Sequence, residues 1–122
     1  EVRGRRVDGV RVLRALINAL HNAIDAFDAE APRGAPVVAL SVTPAAGGGL
    51  RFCVRDNGPG FEGSGERFFV DGVTTRPRGS GLGLGAVRRA IAPLRGTVTL
   101  TSEGAGRGAE FVLMLPGGDE RP

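Results

Sequence analysis

The chain has 122 residues, 41% of them apolar, and a formal net charge of +3 at neutral pH. That is the size of one domain with one core, and the apolar share excludes a disordered chain. Every basic residue is Arg and none is Lys, which excludes Schiff-base chemistry and the lysine of a Walker A phosphate loop.

The arginines are dispersed, so the positive balance reads as a solvated surface with no nucleic-acid partner, and an anionic ligand stays open. The opening "EVRGRR" has no apolar stretch of a signal peptide. Residue 1 is not Met, as expected of a piece cut from a longer protein. Residues 10–30 predict a long helix in which Leu13, Ile17, Leu20, Ile24 and Phe27 recur at steps of four and three and form an oily stripe. Arg11, Arg14, Asn18, Asn22 and Asp25 lie roughly opposite, and Ala15, Ala19, Ala23 and Ala26 fill the sector between, which leaves room for a ligand along the alanine edge. "APRGAP" ends the helix. "VVALSVT" and "LRFCV" alternate as strands, the first with Val38, Leu40 and Val42 on one face and the second likewise with Leu50, Phe52 and Val54, joined as a hairpin by "PAAGGG". Cys53, alone in the chain, reads as a small buried hydrophobe.

Residues 56–80 read as irregular, with an apolar patch at "RFFV". A second helix is predicted from about 82 to 92, stopped by Pro93. "TVTLTS" and "AEFVLMLP" are two further strands, turned by "SEGAGRG". The tail 117–122 reads as disordered. No apolar run approaches the ~20 residues of a membrane span, so no membrane contact is expected of this domain. The order of elements predicts an α+β fold, a two-layer sandwich with helices on one face of a mixed, mostly antiparallel sheet. One domain over 1–116 accounts for it.

Three clusters are candidates for chemistry. Asn18, Asn22 and Asp25 share the polar side of the long helix. Asparagine is a mediocre helix former, and an amide oxygen suits Mg²⁺, although a solvated face accounts for the pattern as well. "RDNGPGF", residues 55–61, follows a strand and sets Asp56 at a loop mouth. There its carboxylate can accept from an exocyclic amine while Gly58 and Gly60 permit close approach; an ordinary turn is the alternative. In "RGSGLGLGAVRRA", residues 78–90, glycines alternate and then open a helix, the arrangement that presents backbone N–H groups to phosphate. Neither Gly-Lys-Ser/Thr nor a preceding strand is present, so it is neither a Walker A loop nor a dinucleotide fingerprint.

Together and in this order, the three clusters resemble the catalytic, ATP-binding domain of sensor histidine kinases, in the wider family that also holds gyrase-, Hsp90- and MutL-type ATPases. "LINALHNAIDAF" looks like the N box of that family, "DNGPGF" like its G1 box and "GSGLGLG" like its G2 box. "FFVDGVTTRPRGSGLGLG" looks like its short lid, and "GTVTLTSEGAGRGAEFVLMLP" is similar to its closing strand pair. The resemblance runs from about residue 8 to 116 and implies the Bergerat-type ATP-binding fold. It implies that Asn22 binds Mg²⁺ beside Asn18 as the two catalytic positions, and that Asp56 reads the adenine amine with Gly58 and Gly60 close by. It further implies that Thr75, Arg76, Gly79, Ser80, Gly81, Leu82, Gly83, Leu84 and Gly85 lie along the nucleotide, with ATP and Mg²⁺ as cofactors.

The same resemblance implies phosphoryl transfer to a histidine on a dimerisation domain of the same protein. A response regulator follows indirectly, and the location is cytoplasmic, with a parent that can be membrane-anchored. His21 is an N-box filler and not the acceptor. Four departures stand out: Arg76 where Lys is usual, Ala109 where Thr or Ser is usual, "LRGT" in place of a glycine pair, and the less typical lid "VDGVTT". The alternatives are a gyrase- or MutL-like ATPase, an anti-sigma-type serine kinase, and a degenerate module that binds nucleotide without catalysis. The first needs a Glu base where Asn18 stands.

Overall fold

The structure, a computed structural model, describes residues 2–29, 35–70 and 83–117, and the side chains of 9–27, 35–70 and 83–117 among them. Helix α1 (Val2–Ala29) leads into a hairpin of β1 (Val38–Ala45) and β2 (Gly49–Asp56), whose connection Ala46–Gly48 is a single 3-10 turn. A 3-10 turn over Gly65–Phe69 precedes helix α2 (Leu84–Ile91), which tightens into another at Ala92–Leu94 before β3 (Thr97–Thr101) and β4 (Ala109–Leu115). The strands form one sheet in the order β1-β2-β4-β3, antiparallel at every pairing among the described residues. No described helix is long and apolar enough to cross a membrane.

Register explains which face is buried. Val54 opposes Leu40 on one side and Phe111 on the other, while Leu113 sits between Phe52 and Val98. Because strand side chains alternate, this whole set points one way, toward the helices. Val54, Leu113 and Val98 close with Val87 and Ile91 of α2 into the most buried part of the core. Thr97, Thr99 and Thr101 of β3 and Ser41 and Thr43 of β1 are exposed and, by the same alternation, line the opposite face. Cys53 is on that face too, yet it is buried, and its thiol donates to Glu110 Oε2 at 3.3 Å. The same oxygen takes a hydrogen bond from Arg55 at 3.0 Å. Burial and the Glu110 carboxylate push the thiol pKa up.

The long helix corrects the reading of its stripe. Leu13, Ile17 and Ile24 are exposed, and the buried positions are Val12, Ala15, Leu16, Ala19 and Ala23. The series 12, 16, 19, 23 has the same four-three period as 13, 17, 20, 24, displaced by one residue. The helix is apolar over a wide arc, and periodicity alone does not choose a side within it. The fold takes the side with the smaller side chains, which lets α1 lie against both β2 and α2. The helix also begins at Val2, well before the expected start, because exposed Gly9 weakens a helix without breaking it.

Arg88 ties α2 to its surroundings. Its guanidinium donates to both oxygens of Glu66 at 2.9 and 3.0 Å and to the Val98 carbonyl at 2.8 Å, and it stacks 3.8 Å from the Phe69 ring centre. The 3-10 turn, α2 and β3 are joined at that side chain.

The choice of helix face is directly testable. Leu16→Ala should cost about 2–5 kcal/mol in urea denaturation, as a buried leucine does. Leu13→Ala, on the stripe the periodicity favours, should cost roughly 0.5 kcal/mol or less.

Candidate functional site

Between the alanine edge of α1 and the sheet lies a cavity of about 200 Å³. Ala19, Ala23 and Ala26 form one wall, and Val54, Leu100 and Phe111 of the sheet form the floor. Leu84 closes the end toward α2, with Phe61 and Phe68 at the rim. The two rings meet edge to face, centroids 5.0 Å apart, with Arg67 stacked over both. Such a slot is mainly apolar, suited to an aromatic guest.

Two polar side chains interrupt it. Asp56 ends β2 on the helix-facing side, cross-strand from Ala109, so its carboxylate enters the slot. It accepts from the backbone N–H of Gly58 at 2.8 Å and from that of Ala109. Burial pushes its pKa above the ordinary aspartate value, and the two N–H bonds only partly oppose that. An ionised carboxylate in an apolar slot is a strong acceptor aimed at whatever donor enters. Asn22, half-buried on α1, is the second polar wall residue. Asn18 lies one turn earlier and half-buried, outside the lining of this cavity.

The loop after Asp56 has little freedom. A Cβ on Gly58 would come within 3.0 Å of Asp56 Oδ1. Gly60 has φ +63°, and a Cβ there would lie 2.6 Å from the carbonyl oxygens of Gly104 and Gly108 and from Ser102 Oγ. Asn57 points the other way: its amide accepts from Val37 N–H at 2.8 Å and donates to the Ala35 carbonyl at 2.9 Å, fixing the entry to β1.

Gly83 sits at the start of α2 as its N-cap, with no side chain capping the first turn and nothing near the place of its missing Cβ. Leu84 is buried at the cavity end. Thr75, Arg76, Gly79, Ser80, Gly81 and Leu82 lie outside the described residues. His21 is exposed. Among the described residues no group of three or more His, Cys, Asp and Glu side chains could hold a metal. Sequence reasoning passed over Phe61, Phe68, Leu100 and Phe111 as lining residues. Phe61 adjoins the glycine loop and is a signal available in principle; the others read as ordinary core.

A sheet backed by two helices, with a glycine-bounded carboxylate at the mouth of an apolar slot, matches a known family. Residues 7–119 match the model described as Histidine kinase-, DNA gyrase B-, and HSP90-like ATPase, and the chain belongs to that family.

Within it, the similar proteins are sensor histidine kinases and their kin. Sensor histidine kinase ZraS of Escherichia coli O157:H7 is 33% identical over 91% of this chain and 23% of its own length. The nitrogen regulation protein NtrY of Azorhizobium caulinodans is 36% identical over 90% of this chain and 14% of its own. Full-length ShkA in complex with AMPPNP superposes with a TM-score of 0.72 at 34% identity, covering 92% of this chain and 22% of that one. The mycobacterial sensor histidine kinase MprB shares the fold, with a TM-score of 0.73 at 23% identity over 98% of this chain and 89% of that one. The chain therefore spans less than a quarter of the length of the curated relatives it matches. The resemblance seen in the three motif clusters, and the α+β sandwich it implied, both hold.

The loop geometry yields a contrast in stability. Gly60→Ala should lose about 1–3 kcal/mol from backbone conformation alone, before its clashes are counted. Gly9→Ala, in an exposed helical position with open space around it, should gain roughly 0.5–1 kcal/mol. Urea denaturation of both variants checks the pair.

Proposed function

We propose that this chain is the catalytic domain of a sensor histidine kinase, which binds Mg-ATP and passes the γ-phosphate to a histidine on a dimerisation domain of the same protein. The observation that carries the reading is the Asp56 carboxylate, held by two backbone N–H groups in the lining of a mainly apolar slot. Adenine is flat, and its exocyclic amine is the donor such a carboxylate accepts. The slot walls exclude water from the base, and Phe61 and Phe68 supply faces and edges for stacking.

Phosphoryl transfer asks little covalent chemistry of the protein; it asks for positioning and charge neutralisation. The uncapped first turn of α2, opening at Gly83, offers N–H groups and the positive end of a helix dipole to an anion. Asn22 supplies a hard oxygen on the cavity wall. That fits Mg²⁺, which accepts one protein oxygen when phosphate and water supply the rest. A bound Mg²⁺ would neutralise charge developing on the phosphates. Arg76, in the segment leading to the glycine loop, would by resemblance lie beside them. Asn18 stands where a water-activating Glu would be needed and is a poor base, so the reading favours a kinase over a clamp-type ATPase. His21, exposed on α1, is not assigned as acceptor. The phosphate would then move to a response regulator, on the cytoplasmic side of the membrane if the parent is anchored in one.

Calorimetric titration with a non-hydrolysable ATP analogue should show binding that strengthens with Mg²⁺, and Asp56→Asn should weaken it at least about tenfold. No binding by the unaltered chain would overturn the reading. Acidity adds a sign. The folded chain holds the Asp56 proton more tightly than the unfolded chain does. Ionisation of Asp56 therefore weighs against the fold as pH rises through its raised pKa. On acidification the carboxylate loses its charge at a higher pH than an ordinary aspartate. On acidification, adenosine affinity should accordingly begin to fall at a pH above the ordinary aspartate pKa of about 3.9, and Asp56→Asn should flatten that profile.

Transfer is tested separately. With radiolabelled ATP and an added histidine-bearing dimerisation domain, acid-labile label should appear on that domain and not on this chain. Acid-stable label would favour the serine-kinase alternative. Nucleotide binding without transfer would favour the non-catalytic module.

A further inference from the structure

The loop that presents Asp56 and Gly60 is met from behind by the Ser102 hydroxyl, alongside backbone hydrogen bonds from the same turn. Ser102 Oγ, half-buried just beyond β3, accepts from the Phe61 N–H at 3.1 Å and from the Gly104 N–H at 3.2 Å. It donates to the Gly108 carbonyl at 2.6 Å, with the Gly104 carbonyl a second acceptor at 3.1 Å. A serine hydroxyl has one proton and two lone pairs. Here the proton and both lone pairs have partners, and those partners come from two segments: the loop after Asp56 and the turn between β3 and β4.

The same two segments also meet without side chains. Gly106 N–H donates to the Pro59 carbonyl, and Gly108 N–H donates to the Gly58 carbonyl at 3.1 Å. Gly108 has φ +71°, and a Cβ there would collide with the Asp56 carbonyl. Gly60 rests against Ser102 Oγ so closely that it admits no side chain. Ala109, whose N–H holds the Asp56 carboxylate, directly follows Gly108. The β3–β4 turn is therefore the bed on which the loop lies, and Ser102 is the one side chain in that bed bonded to the backbone of both segments among the hydrogen bonds described here.

We propose that Ser102 is a positioning residue of the nucleotide site, its hydroxyl setting where the 56–61 loop meets the purine. The assignment rests on the reading of the slot as an adenine site. It touches the base through Asp56, Gly60 and Phe61, not the phosphates. Its loss should then weaken every ligand that carries the base by a similar factor, whereas a loss of phosphate contacts would fall on ATP more than on adenosine.

The experiment compares Ser102→Ala, Ser102→Thr and the unaltered chain. ATP analogue, ADP and adenosine affinities are measured by calorimetry, and amide hydrogen exchange is followed at Phe61 and Gly104. The expected result is a loss of about tenfold for all three ligands in the Ala variant. Exchange at Phe61 should quicken in the ligand-free chain, and the Thr hydroxyl should restore affinity to within about threefold. Ser102→Cys keeps the side-chain shape, slightly enlarged, with much weaker hydrogen bonds, and it carries the same comparison if the Ala variant does not fold.

Equal binding by folded Ser102→Ala would overturn the assignment, and so would a loss confined to the triphosphate or unchanged exchange at Phe61. An unaltered chain that binds neither ATP analogue nor adenosine would overturn the adenine reading and this role with it. That outcome differs from a failure of Ser102 alone, in which the unaltered chain binds and the variant matches it.

Discussion

A carboxylate enters an apolar slot only where the backbone compensates for the water it gives up, and the architecture around Asp56 follows from that constraint. The parity of β2 turns Asp56 inward instead of outward. The neighbouring strand brings the Ala109 N–H to it, and the chain doubles back at Gly58 to bring a second. Each requirement selects a residue type. A methyl group on Gly58 would crowd the carboxylate, and Gly108 has no room for one beside the Asp56 carbonyl. The even glycine spacing of "DNGPG" is thus the trace in sequence of one solvation problem.

The same economy shapes α1. A helix that packed its largest side chains inward would fill the space between itself and the sheet. Around Ala15 the helix packs closely, and farther along Ala19, Ala23 and Ala26 leave a hollow against the sheet. Leu13, Ile17 and Ile24 are left outside as a consequence. Hydrophobic burial at this helix is subordinate to shape, and the slot is what the helix gains.

That is also why sequence reading succeeded unevenly. Strands β1 to β4 were legible because alternation with period two and glycine-rich turns are local signals, and the faces assigned to Val38–Leu40–Val42 and Leu50–Phe52–Val54 are those in the sheet. Asp56, Gly58 and Gly60 were legible because a carboxylate followed by closely spaced glycines is dense and rare. The buried face of α1 was not, since two apolar stripes of equal period lie one residue apart, and only α2 and the sheet decide between them. Phe61, Phe68, Leu100 and Phe111 were missed for a related reason: a side chain lining a slot and one filling a core share the same hydrophobic signature. Ser102 ended a predicted strand as one polar residue among several; its partners are 41 and 6 residues away along the chain.

Cys53 carries a consequence of a different kind. Thiols react as thiolates, and reactivity depends on both charge and access. This one sits beneath Arg55 and Glu110, donating its proton to a carboxylate that disfavours its loss. The sheet face that looks toward solvent therefore keeps its sulfur in the protonated, weakly nucleophilic form. A cell's shift toward oxidising conditions meets no ready disulfide donor or sulfenic-acid site at this position. Buried and held in the protonated form, the thiol of Cys53 is a poor target for oxidants.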